Sequence, residues 1–163
     1  MSGVIAFTDI VGFTEFTAAE GDDRAVELLG LQRRIVDDEL PARGRVVKDL
    51  GDGLLLWMDE VDGAVETARR LQRSFAAHAT GDLPLWVRIG MHWGSPVERG
   101  DDLVGNDVNI AARISGQAGP GEIVVSEAVV THPDLRGVDL SVDAIGPVLM
   151  KGLPDAIWLY RLA

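Results

Sequence analysis

The sequence predicts an α+β domain in which helices cover one mixed sheet. Three observations carry that expectation. Short apolar runs alternate with helical periodicity in the order β-α-β-β-α-β-α-β, with a β tail. An Asp-Gly turn separates two central apolar runs, the mark of a hairpin. No repeat, low-complexity tract or linker divides the 163 residues, a length that buries a real core without disulfide or metal staples.

Taken in order, Val4 to Phe7 is a short apolar run that reads as a strand and ends at Thr8-Asp9. After a turn at Gly12 comes one helical segment, with Leu28, Leu31 and Ile35 on one side and Leu29, Val36 and Leu40 beside it. Pro41 and Gly44 stop it. Arg45 to Leu50 and Leu54 to Met58 are strands around Gly51-Asp52-Gly53. Ala64, Ala68, Leu71 and Phe75 recur at helical spacing and predict an amphipathic helix. Leu85 to His92 reads as a strand closed by Gly94 and Pro96. Asn106 to Gln117 reads as a helix of small residues, able to approach another element closely. Gly119-Pro120-Gly121 breaks it before a strand at Ile123 to Ser126, and residues 138–150 and 156–162 form a closing strand pair.

Composition narrows the function. With 47% hydrophobic and 25% charged residues the chain is globular. Its formal charge, 15 − 26 = −11, argues against nucleic acid as a partner, because phosphate backbones need basic surface. A polyphosphate ligand meets the same repulsion unless local cations reverse it. The chain has no cysteine, which excludes thiol catalysis and Cys-based zinc sites. Its start, MSGVIAFTDIVGF, is not a signal peptide, and the most apolar run, Leu54 to Met58, is too short to span a membrane. A soluble, cytoplasmic domain is the expectation, and a strand that begins at Val4 leaves no room in this chain for an upstream sensor.

Several residue sets could carry chemistry. Asp9 and Asp52 stand at strand ends, and on neighbouring strands they would share one sheet edge, as hard oxygen ligands suited to Mg²⁺ or Mn²⁺. The plainer alternative, commoner on spacing alone, has Asp9 capping a helix and Asp52 serving only the turn. The turn at Gly12 and Phe13 offers backbone N–H groups to an anion where a strand passes into a helix. Asn109 and Arg113, four apart, share a helix face and could grip a phosphoryl group and a sugar oxygen, or could simply be solvated. Lys48, Arg88 and Lys151 are scattered cations that together could make a positive spot. His78, His92 and His132 lack metal-ligand spacing; His92 reads as a packing or hydrogen-bonding residue. No Ser/His/Asp set can be assembled, and the GxSxG, Walker and dinucleotide fingerprints are absent.

Five segments in this order resemble the catalytic domain of class III nucleotidyl cyclases: FTDIVGFT at 7–14, KDLGDG at 48–53, RIGMHWG at 88–94, VGNDVNIAARI at 104–114, and AGPGEIVVS at 118–126. A tail, MKGLPDAIWLYRL, extends the match across nearly the whole chain. The resemblance implies one catalytic domain over 1–163, with a ferredoxin-like, mainly antiparallel mixed sheet, working as a head-to-tail homodimer with composite sites. It implies that Asp9 and Asp52 hold two divalent ions, Mg²⁺ or Mn²⁺, and that Lys48 and Asp102 read the purine. Asp101 would take the place of Asp102 after a one-residue gap. Asn109 would orient the ribose, Arg113 would stabilise charge on the α-phosphate, and Arg88, Lys151, Gly12 and Phe13 would bind phosphate.

The implied substrate is ATP. A lysine donates to adenine N1 and an aspartate accepts from the exocyclic amino group, whereas members using GTP carry Glu at the Lys48 position. The implied reaction gives 3′,5′-cyclic AMP and pyrophosphate by in-line attack of the ribose 3′-hydroxyl. A guanylate cyclase and a silent nucleotide-binding dimerisation module are the alternatives. Leu54, where an aromatic is common, and Trp93, in the variable place of HxG, are departures outside the implied chemistry.

Overall fold

The computed structural model describes all residues from Met1 to Ala163. Seven strands form one sheet in the order β2-β3-β1-β4-β7-β9-β8, which comprises β1 (Gly3–Ile10), β2 (Gly44–Asp49), β3 (Gly53–Met58), β4 (Val87–Gly94), β7 (Ile123–Ser126), β8 (Val142–Val148) and β9 (Ile157–Leu162). Every neighbouring pair is antiparallel except β4 with β7. The expected α+β class and mainly antiparallel mixed sheet are therefore present.

Side-chain alternation divides the core between the two faces of this sheet. Val4, Ala6 and Ile10 of β1 point to one face, where α2 (Asp22–Glu39) contributes Leu28 and Ile35 and α3 (Val61–His78) contributes Ala68, Leu71 and Phe75. Ile5 points to the other, where it meets Leu103, Val108 and Ala111. Covered on both sides, β3 buries all six of its residues, which explains its unbroken apolar run.

The helix on the second face is α4 (Asn106–Ser115), and its small residues do what their size allowed. A Cβ on Gly90 of β4 would lie 2.3 Å from the Ser115 nitrogen, so helix backbone rests directly on strand backbone. Only glycine permits that approach.

Three expectations need correction, and one pair of strands was not expected. The single helix after Gly12 is two, α1 (Phe13–Glu20) and α2, because Gly21 takes φ 90° and its N–H closes on the Thr17 carbonyl. The strand expected at Leu85 to His92 is displaced to Val87–Gly94, and the strand expected over 138–150 is confined to Val142–Val148. A hairpin of β5 (Val97–Arg99) and β6 (Asp102–Val104) also stands between β4 and α4. Its strands are three residues long and bury only Leu103, so they carry no readable alternation. A short helix, α5 (Glu127–Val130), and a 3-10 turn at Pro133–Leu135 complete the path to β8. No helix is long and apolar enough to cross a membrane.

Candidate active site

Asp9 lies at the end of β1, on the face of Ile5 and Phe7. Register sets it opposite Gly53 of β3 on one side and Arg88 of β4 on the other. Asp52 immediately precedes Gly53, and its carbonyl accepts from the Ile10 N–H at 3.0 Å, so the hairpin turn is tied to the end of β1. A side chain at Gly53 would strike the Thr8 carbonyl oxygen at 1.8 Å, so nothing separates the two acids there. The two aspartates expected at one sheet edge do share it.

Electrostatics mark the pair. Burial, then the hydrogen bond its protonated carboxyl donates to Asp9 and repulsion by the Asp9 charge, raise the Asp52 carboxyl above its ordinary value; its own backbone hydrogen bond and Arg88 oppose the rise. The Arg88 guanidinium donates to the Asp9 carboxylate, while its Nε is buried without a partner. When both acids are ionised, one arginine leaves one negative charge unanswered. No third His, Cys, Asp or Glu joins them. Two hard carboxylates with the remaining positions open suit Mg²⁺, which keeps water and takes phosphate oxygens, so these residues fit such an ion.

Just beyond Asp9, Gly12 takes φ 73° and its carbonyl receives the Phe16 N–H at 2.9 Å. Helix α1 thus opens at Phe13, and the N–H groups of its first turn have no intrahelical acceptor. The turn at Gly12 and Phe13 thus passes from strand into helix with backbone N–H groups left free of helical acceptors.

Lys48 sits just past a register shift in β2, opposite Leu55. Its Nζ reaches Asp102 Oδ2 of β6 at 3.0 Å. That hydrogen bond, followed by one from the Leu103 N–H, holds the Asp102 carboxyl below the usual carboxylate value. Asp101 offers only its carbonyl, to Arg45 at 3.2 Å. Of the two adjacent acids, Asp102 is the one beside Lys48. The hairpin that sequence reading missed is the element that brings it there.

On α4, Val108, Ile110, Ala111 and Ile114 face the core, while Asn109 and Arg113 are exposed one turn apart. Met150 packs in a cluster with Ile110 and Ile114, which anchors the Lys151-Gly152 turn against α4. A Cβ on Gly152 would lie 3.7 Å from Arg113 Nη2. Neither Arg113 nor Lys151 has a carboxylate partner. The residues thus fall into three groups: Asp9, Asp52 and Arg88; Lys48 and Asp102; Asn109, Arg113 and Lys151. No hydrogen bond or ion pair connects one group to another within the chain. The chain's two concavities, about 240 and 310 Å³, are lined by other residues.

A Ser-His-Asp set, which the sequence did not permit to be assembled, is present. His92 Nδ1 lies 2.7 Å from Ser126 Oγ, and Nε2 lies 3.2 Å from Asp107 Oδ1. Ser126 is only 1% exposed, so no acyl substrate can reach it. The hydrogen-bonding role expected for His92 holds. The departures, Leu54 and Trp93, serve packing: Leu54 is buried, and Trp93 meets His132 edge-on with ring centroids 4.3 Å apart.

The adenylate and guanylate cyclase catalytic domain family matches residues 3–163. Among relatives, the chain is 33% identical over 125 residues to an adenylate cyclase of Streptomyces coelicolor, covering 76% of this chain and 32% of that one. It is 26% identical over 162 residues to a pH-sensitive adenylate cyclase of Mycobacterium tuberculosis, covering 97% and 40%. The chain therefore spans well under half the length of these relatives. Among solved structures, an adenylate/guanylate cyclase/hydrolase from Silicibacter pomeroyi superposes with TM-score 0.84 at 25% identity, covering 100% and 96% of the two chains. The guanylate cyclase domain of RhGC from Catenaria anguillulae, solved with GTP, shares the fold at TM-score 0.84 and 20% identity, covering 99% and 96%. With the motifs in order along this sheet, the chain belongs to the adenylate and guanylate cyclase catalytic domain family.

Proposed function

We propose that the chain converts ATP to 3′,5′-cyclic AMP and pyrophosphate. The observation that carries the choice of base is the Lys48–Asp102 pair at 3.0 Å. It sets an obligate donor beside an obligate acceptor, matching adenine N1 and its exocyclic amino group. Guanine presents the reverse pattern, an N1–H donor and an O6 acceptor. A cysteine-free chain acting on ATP also fits the cytoplasm.

In this reading the 3′-oxygen forms a bond to the α-phosphorus, the bond to the bridging oxygen breaks in line, and the hydroxyl proton is released. Asp9 and Asp52 would hold two divalent ions, Mg²⁺ or Mn²⁺, which when bound supply Lewis-acid polarisation of the hydroxyl and phosphate oxygens. Asn109 orients the ribose. Arg113 meets the charge that develops on the α-phosphate, a role worth on the order of 10³-fold in rate. Arg88, Lys151 and the N–H groups at Gly12 and Phe13 hold the triphosphate. Because the three groups are unconnected within one chain, the reading assigns them to two copies, a head-to-tail homodimer with composite sites.

The test is product identification. Incubated with ATP or GTP and with Mg²⁺ or Mn²⁺, the chain should yield cyclic AMP and pyrophosphate. Cyclic GMP as the main product would transfer the reading to a guanylate cyclase, and no product under any condition would favour a silent module.

A further inference from the structure

We infer that His92 is a positioning residue for this reaction, holding the first turn of α4 through Asp107 and thereby setting Asn109 and Arg113. The inference rests on the function proposed above. Its starting point is the way α4 is fastened. The N-cap of α4, Gly105, provides no side-chain hydrogen bond. Of the side chains on α4, only Asp107 hydrogen-bonds outside the helix. One of its oxygens meets His92 Nε2 at 3.2 Å, and the other accepts from the Ser95 N–H at 2.8 Å. Gly94 makes room for it, since a Cβ there would lie 2.5 Å from the carboxylate.

His92 is fixed from the other side as well. It is 8% exposed, and Nδ1 lies 2.7 Å from Ser126 Oγ on β7. A carboxylate only accepts, so Nε2 carries the proton toward Asp107, and the neutral ring accepts the Ser126 hydroxyl proton at Nδ1. One imidazole thus links β4, β7 and α4. Arg113 lies six residues from Asp107, about 9 Å along the helix axis at 1.5 Å per residue. A tilt of the first turn is carried along a rigid helix to both functional side chains. A misplacement of roughly 1 Å at reacting groups costs on the order of 10²-fold.

Two substitutions at His92 separate this role from mere packing. In His92→Asn the amide can still meet Ser126 but falls short of Asp107. In His92→Gln the longer side chain restores a donor near the position of Nε2. We expect His92→Asn to lower kcat by about 10- to 100-fold with little change in KM for ATP. Amide exchange should accelerate over residues 106–113 but not in β1. His92→Gln should recover most of both. If His92→Asn does not fold, the isosteric Asp107→Asn tests the same fastening, because its amide has one acceptor for two donors, His92 Nε2–H and the Ser95 N–H. Unchanged kcat in a folded variant overturns the inference, as does exchange that rises equally in β1 and α4. Exchange needs no substrate, so it separates the two readings. An inactive wild type overturns the proposed function and the kinetic half together, and exchange alone then decides whether His92 fastens α4.

Discussion

Asp52 is half-buried beside Asp9, and its raised pKa has a definite sign in the stability of the chain. An acid whose folded pKa exceeds its unfolded value, 3.8, contributes stability at low pH that is lost as pH rises through the folded value. Above that folded value Asp52 carries its charge beside Asp9, and the metal-free chain is weakened at this edge. Asp52→Asn removes that repulsion and should raise the metal-free melting temperature at pH 7. The gain is at most the ~2–4 °C that about 1 kcal/mol gives a chain of this size, less after solvent screening. Mg²⁺ or Mn²⁺ should raise the wild-type melting temperature more at pH 7 than at pH 4, and should do little for Asp52→Asn. Thermal melts at the two pH values, with and without metal, check this; a variant that melts lower without metal and still responds to it would remove Asp52 from the metal-binding edge.

Helix α4 depends on a glycine it does not contain. At Gly90 of β4 a methyl group would stand 2.3 Å from the Ser115 nitrogen and 2.5 Å from its Cα, and backbone cannot rotate away as a side chain can. Gly90→Ala should therefore cost about 1–3 kcal/mol or more and displace the helix that carries Asn109 and Arg113. Gly63 of α3 supplies the control. A Cβ there meets nothing within 4 Å, so Gly63→Ala should stabilise by about 0.4–1 kcal/mol. Urea unfolding of the two variants measures both signs; equal effects would refute the close-contact argument. The same elements show what sequence patterning could and could not reveal. The spacing of Ala64, Ala68, Leu71 and Phe75 reports a face that packs on the sheet, and all four are buried. The Gly51-Asp52-Gly53 turn is legible because its chemistry is local. The β5–β6 hairpin is not, since strands with one buried residue leave no period to read. The break at Gly21 hides inside an otherwise helical pattern. The tie from Ser126 to His92 to Asp107 spans three segments, and its partners sit 34 and 15 residues from His92, beyond any local signal. Asp9 and Asp52 were readable as candidates, but their shared edge follows from register, which periodicity does not carry.

The whole chain is acidic, with net charge −11, yet its charges are unevenly distributed over the proposed catalytic residues. Asp9 and Asp52 share one arginine, while Arg113 and Lys151 have no acid at all. In a two-fold pair each chain would bring its unanswered acids to the other's unanswered cations, which is the reciprocity an isologous arrangement provides. The unneutralised charges would then meet across a triphosphate and not within one protomer. Subunit mixing tests this directly. Asp9→Ala and Arg113→Ala proteins, each inactive alone, carry complementary halves of a composite site. Random assortment of equal amounts makes about half the dimers mixed, each with one intact site of two, so roughly one quarter of wild-type activity should return. Asp9→Ala mixed with Asp52→Ala should stay inactive, because both lesions fall in the same half. With subunit exchange verified by differently tagged chains, no recovery in the first mixture would mean that one chain builds its site alone. Recovery in the second would mean that Asp9 and Asp52 do not act from the same protomer, against the shared edge seen at β1 and β3.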